Sequence, residues 1–270
     1  PGVTEHGGVY PATATEDQVT ALSEVNRVRT VLGLAVVDED EKLNAAAQAH
    51  ADFIVANCDR YDDTGLSPHE EDPEWPGFTG VMPWDRTDTL GYQAMGIGEV
   101  IAFVNHPKRA VSGWIDTLYH RLPLIDPTAI AVGYGNATGA EGCSWDMLQN
   151  VDVMDLGFKG SAEDVVVLYP GDQMTGVARA FDGYESPQPP KPPQGYPSGY
   201  IVTVQFGQTK AFSVTGHQIL EAGTTALDHT FLAPFADAEH GVMRDPHASA
   251  GDSYVALYAH KPLKAETEYR

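Results

Sequence analysis

Apolar residues recur at three- and four-residue steps through Val19, Leu22, Val25, Val28 and Leu32, while Glu16, Asp17, Glu24, Arg27 and Arg29 lie mostly off that stripe. The pattern predicts an amphipathic helix. Thr15-Glu-Asp-Gln18 supplies its capping box and Gly33 its stop. A second helix is predicted over Asp38 to Asn57, with acids in its first turn and Leu43, Ala46, Ala47, Ala51 and Ile54 along one side. His50 lies inside that helix and reads as a hydrogen-bonded core histidine. From Asp59 to Leu90 the period dissolves around Pro68, Pro73, Pro76 and Pro83, which predicts a long ordered loop of the functional kind. Residues 94–103 then read as a strand, 107–119 as a helix, 129–134 as a strand and 143–158 as a further strand. Helices and strands are mixed, so the first part of the chain is predicted to be α+β, with helices packed on an antiparallel sheet.

Beyond Glu163 the helical period is gone. Val165–Tyr169, Ile201–Phe206, Ala211–Val214, Thr230–Leu232 and Tyr254–Ala259 are short β-type runs set off by Gly, Pro and Asp. Their spacing predicts an all-β, immunoglobulin-like sandwich. Pro187 to Pro197 favours polyproline II and reads as a stiff connection between strands. The domain plan is therefore an N-terminal extension over 1–15, an α+β domain over 16–160 and a β-sandwich over 161–270.

Composition narrows the function. A net charge of −22 in 270 residues repels nucleic acid and anionic membrane surfaces. The acidic clusters Asp62-Asp63, Glu70-Glu71-Asp72 and Asp38 to Glu41 read as solvated faces, without the spacing of an EF-hand loop. No apolar run is long enough to span a bilayer, and no basic-then-apolar leader opens the sequence at Pro1. Cys58 and Cys143 are too few for a disulfide scaffold. They either form one bridge, closing a loop of about 85 residues and adding about 4 kcal/mol, or stay as two buried thiols.

Candidate chemistry gathers around Glu99, a glycine-flanked acid in the otherwise apolar Ala94–Phe103. His69 in the proline-rich loop and His120 after Trp114 are the imidazoles that join it. Two neutral imidazoles and a carboxylate make a zinc-type ligand set, with calcium or magnesium as other divalent candidates and Glu70 and Asp116 as possible additional ligands. Without metal, Glu99 and His120 are the candidate catalytic residues, Glu99 orienting His120 as a general base. There is no His-Glu-x-x-His helix, and no serine sits in a nucleophile elbow.

Five segments in order resemble the CAP superfamily (cysteine-rich secretory proteins, antigen 5, pathogenesis-related 1) in its bacterial form, over roughly residues 16–158. Asn26, Arg29, Gly33 and Leu34 resemble the first helix and its exit, and Leu43–Ala51 the second helix. His69 stands at the first site histidine, Gly98-Glu99 at the Gly-Glu-Asn motif, Trp114 with His120-Arg121 at the last site histidine, and Ala131–Gly135 at the following strand. Val100 replaces the motif's asparagine, and Thr117 stands where many eukaryotic members carry a second glutamate. The resemblance implies an α-β-α sandwich, secretion or surface display, and a His/Glu cleft that holds a divalent cation and binds a peptide, glycan or lipid. A metal-dependent hydrolase acting on peptide or cell-wall bonds is the alternative, and an adhesion protein with a vestigial cleft is the third reading.

Overall fold

Thr15 opens the first helix as its spacing predicts: its side chain accepts from the Gln18 amide at 3.2 Å, and the Gln18 side chain accepts in return from the Thr15 amide at 2.8 Å. The computed structural model describes residues 1–139, 150–160, 165–207, 212–249 and 252–270. Contacts divide them into two units, Pro1–Ile115 with Pro123–Gly160, and Asp116–Leu122 with Ser161–Arg270.

In the first unit, β1 (Gly2–Val3) and β2 (Val9–Tyr10) form a small ribbon ahead of α1 (Glu16–Val31). β3 (Asp38–Glu39), α2 (Glu41–Ala56), α3 (Cys58–Thr64), α4 (Pro83–Thr89), β4 (Gly96–Ala102), α5 (Pro107–Asp116), β5 (Ala129–Thr138) and β6 (Asn150–Phe158) follow; the single helical turn α6 (Arg121–Leu124) begins in the second unit's segment and ends in the first's. Two predicted boundaries move. Asp38 and Glu39 pair in parallel with Ala131 and Val132 as a strand, and the second helix starts behind Asp40, whose carboxylate accepts from the Lys42 amide. The proline-rich stretch holds two seven-residue helices, because Pro83 stands at the first helical turn, where its missing N–H costs nothing. Trp145, Leu148 and Cys143, expected in the strand before Phe158, lie outside the described residues; Cys58 carries no free thiol.

The sheet runs β3-β5-β6-β4, with β5–β6 and β6–β4 antiparallel. Its alternation divides the side chains cleanly. Ile101, Val151 and Val153 face the α2 side and pack with Ala47, Ala51, Phe53, Ile54, Tyr61 and Trp75, while Val100, Val132, Tyr134, Met154 and Leu156 are buried on the other. Beyond its short pairing with β3, the outer edge of β5 has lost its strand partner, and amide side chains replace it. Asn44 accepts from the Tyr134 amide at 2.9 Å, Gln48 bonds both backbone groups of Asn136, and Gln18 donates to the Tyr134 carbonyl at 2.9 Å.

The second unit contains β7 (Val166–Tyr169), β8 (Ala180–Phe181), β9 (Ser198–Gly199), β10 (Val202–Phe206), β11 (Leu220–Glu221), β12 (Thr225–Ala226), β13 (His229–Ala233), β14 (Met243–Arg244) and β15 (Tyr254–Ala259). One five-stranded sheet, β14-β13-β15-β10-β7, carries the core, and β8-β9 and β11-β12 are two-stranded ladders. Successive β15 residues go to opposite faces: Ala256 and Tyr258 join Phe181, Ile201 and Leu232, and Val255 joins Phe231, Ala233 and Val242. The described residues thus show a mixed sheet, with β13 and β14 parallel, where the spacing predicted two facing antiparallel sheets. Of the expected strand at 211–214, Ala211 lies outside the described residues and 212–214 are irregular. The proline-rich stretch joins β8 to β9 and is tied down by Tyr196 and Tyr258, whose hydroxyls donate to the carbonyls of Pro189 and Pro190.

Candidate functional site: a charge-balanced polar network under the sheet

Glu99 sits on the α2-facing side of β4, two residues before Ile101, so alternation alone turns its carboxylate into the unit. Its side chain is 1% exposed. One oxygen accepts from His69 Nδ1 at 2.8 Å and the other from the Arg86 guanidinium at 2.5 Å. Arg86 comes from α4 and is itself buried, with further bonds to the carbonyls of His69, Gly80 and Val81. Burial pushes the Glu99 carboxyl up, but His50, His69 and Arg86 beside it more than reverse this and hold it at about 2.

His50 is fully buried on α2, and both of its ring nitrogens face acceptors. Nδ1 lies 2.9 Å from Glu71 and Nε2 lies 2.8 Å from the Pro68 carbonyl. Both nitrogens must then carry hydrogen, which makes His50 an imidazolium. Glu71 also accepts from the Thr79 amide at 2.6 Å and from the Thr79 hydroxyl. Two cations, Arg86 and His50, therefore balance two carboxylates, Glu71 and Glu99.

Asp155 completes the network. It is paired with Glu99 across the β4–β6 ladder and fully buried, and neither of its oxygens has a hydrogen-bond donor. Two facing carboxylates cannot bond until one takes a proton. Burial and then the Glu99 charge push the Asp155 carboxyl well above its ordinary value of 3.8, so it is Asp155 that holds the proton. A carboxyl raised in the folded state contributes its full stability only below pH 3.8 and loses it as pH rises toward the folded value. Asp155→Asn, neutral at every pH and able to donate to Glu99, is accordingly expected to be more stable than the wild type at pH 7. The gain shrinks to nothing on acidification below 3.8, read by urea titration at both pH values.

The remaining predicted residues have these contacts within their own units. His120 and Asp116 belong to the second unit. There the buried Glu185 carboxylate accepts from the amides of Leu118, Tyr119 and His120 and from His120 Nδ1 at 3.0 Å, and Asp116 accepts from the Tyr200 hydroxyl at 2.8 Å. Glu70 contributes its carbonyl, to the Tyr61 hydroxyl, while its neighbour Glu71 enters the network. Within the first unit only His69 and Glu99 of the predicted set come together. Among the described residues no group of three or more His, Cys, Asp or Glu side chains is arranged to hold a metal ion. The donor set agrees with this: both Glu99 oxygens are engaged and its charge is already neutralised by a buried guanidinium, so a resident divalent cation does not fit here.

The outward part of the network is His69, 35% exposed, its Nδ1 held by Glu99. On the outer side of α4 lies a cavity of about 660 Å³ lined by Trp84, Asp85, Thr87, Asp88, Tyr92, Gln93, Ala94, Met95 and Ile97. Neither His69 nor Glu99 lines it. Trp84 is 52% exposed and Met95 80% exposed, so two large apolar side chains at the cavity wall are open to solvent. α4 thus points Arg86 into the network and Trp84, Asp85 and Asp88 toward the cavity.

Residues 22–151 match the family described as CAP, the cysteine-rich secretory protein family. No curated protein matches the chain. Among solved structures, an extracellular protein containing an SCP domain from Bacillus anthracis is 18% identical with a TM-score of 0.39, over 53% of this chain and 40% of that one. The present chain thus covers less than half of that protein's length. An outer surface protein from Borrelia burgdorferi is 18% identical with a TM-score of 0.40, over 54% of this chain and 95% of that one. Venom allergen-like protein 4 of Schistosoma mansoni is 13% identical with a TM-score of 0.36, over 54% and 91%.

Proposed function

We propose that this chain, whose residues 22–151 match the CAP family of cysteine-rich secretory proteins, is a secreted or surface-displayed binding protein without turnover. Its ligand is a glycan or a peptide, neutral or cationic, taken into the cavity beside α4. The observation that carries this reading is the pairing of Glu99 with Arg86 and His69, which engages both of the oxygens that Glu99 would need to activate water or hold a metal. A divalent cation is left out for the same reason.

The cavity chemistry supports the ligand class. The exposed indole of Trp84 and the Tyr92 ring offer flat apolar faces, and Asp85, Asp88 and Gln93 offer hydrogen-bonding groups around them. A few directed polar groups around an apolar floor is the usual make-up of a small-ligand site. The two carboxylates, in a chain of net charge −22, disfavour a fatty acid or an anionic lipid headgroup.

Tryptophan fluorescence, with soluble cell-wall oligosaccharides and a cationic peptide library as probes, tests this. Binding that is insensitive to chelator and at least tenfold weaker in Trp84→Ala is the expected result. Cleavage of either probe that stops with chelator and with Glu99→Gln would replace this reading with that of a metal-dependent hydrolase.

A further inference from the structure

The second unit holds a pair of histidines whose hydrogen bonds do not close with neutral rings. His229 opens β13, and its Nδ1 lies 2.8 Å from the Leu227 carbonyl. His217 lies on the irregular segment before β11, with Nε2 2.8 Å from the His240 carbonyl and its ring stacked on Phe231. A carbonyl oxygen only accepts, so each of these nitrogens carries the hydrogen, and each neutral ring has then used its single N–H. The nitrogens left over, His217 Nδ1 and His229 Nε2, are lone pairs, and they face each other at 2.7 Å. Two lone pairs in that position repel unless a cation lies between them.

We infer that His217 and His229 form a two-histidine site for an imidazole-seeking divalent ion, zinc or copper(II). Three features of the pair point that way. Each ring donates its outer N–H to a backbone carbonyl, the arrangement that fixes the tautomer and direction of a metal-binding histidine. The rings are nearly perpendicular, at 85°, and both are partly exposed, so an ion has access. No carboxylate among the described residues is hydrogen-bonded to either ring; Asp237, in the turn that carries His240, is engaged with His240 Nδ1 at 2.7 Å. The ion's charge is met instead by the field of a chain carrying −22.

Two nitrogens each about 2.0–2.1 Å from one tetrahedral ion stand about 3.3 Å apart. The pair must therefore open by about 0.6 Å, which His217, outside any strand or helix, can supply. Since no third His, Cys, Asp or Glu among the described residues completes the set, water fills the other positions and the ion is exchangeable.

Zinc titration of the whole chain at pH 7.5, followed by nitrogen-15 resonances of the histidine rings, tests the site nucleus by nucleus. Up to one equivalent, His217 Nδ1 and His229 Nε2 are expected to shift together while His217 Nε2 and His229 Nδ1 keep the shifts of protonated nitrogens. His229→Gln or His217→Gln abolishes the step, and His69→Ala leaves it unchanged, which separates this site from the network of the first unit. If both inner nitrogens stay unmoved through one equivalent and share a proton instead, the metal site is overturned. The wild-type spectra decide the matter even where a variant folds poorly.

Discussion

Glu99→Gln is expected to destabilise the first unit by about 3–5 kcal/mol at pH 7, the cost of stranding a buried charge whose partner has been removed. Arg86 has no exit to water, and its next carboxylate, Glu71, stands 4.0 Å away and is already shared with His50 and Thr79. Glutamine keeps the shape of the side chain and one acceptor for Arg86 but removes the charge. The acid limb of the stability curve changes with it. A carboxyl held at about 2 against an ordinary 4.5 contributes stability that is complete above pH 4.5 and is lost as pH falls through 2. The wild type is therefore expected to lose stability across that window and Glu99→Gln to lose less. Urea midpoints at pH 7, 4.5 and 2.5 read both effects. Arg86→Met combined with Glu99→Leu removes both charges and should recover much of the loss, a coupling that a double-mutant cycle measures directly. Additive losses would mean that the ion pair is not the source of the cost.

The sequence made Glu99 visible because an acid set behind Gly98 in an otherwise apolar strand has few explanations. Asp155, between Met154 and Leu156, carries the same signal and was open to the same argument. Arg86 and Glu71 were not legible in that way. Arg86 looks like any arginine of a short surface helix, and its burial is fixed by α4 lying against β4, a tertiary fact. Glu71 is hidden in the run Glu70-Glu71-Asp72, where nothing local says which acid turns inward. His120 was grouped with His69 and Glu99 through its match to the family's last site histidine; within its own unit its partner is Glu185, sixty-five residues later, which no spacing rule reaches. In the second unit the β-runs themselves were readable. The sheet they form was not, since strand order depends on long-range pairing such as β10 with β15.

Gly135→Ala is expected to cost about 3 kcal/mol or more, although it adds a single methyl group. A Cβ at Gly135 would stand 2.2 Å from the Gln48 backbone nitrogen, and one at Gly133 would stand 2.1 Å from the Leu43 carbonyl carbon. Both obstacles are main chain of α2, so no rotamer change relieves the clash and the helix has to lift from the sheet. Lifting it uncouples more than packing: Asn44 and Gln48 would leave the free edge of β5 unpaired, and His50 would be drawn away from Glu71. Gly113→Ala is the matched control. It lies within α5 with nothing inside 4 Å of the added Cβ, so the better helix propensity of alanine should stabilise the protein by about 1 kcal/mol. Thermal melts of the two variants should move in opposite directions. A neutral Gly135→Ala would mean that α2 does not sit on the glycine face of β5, and the burial of His50, on which the charge balance of the whole network depends, would fall with it.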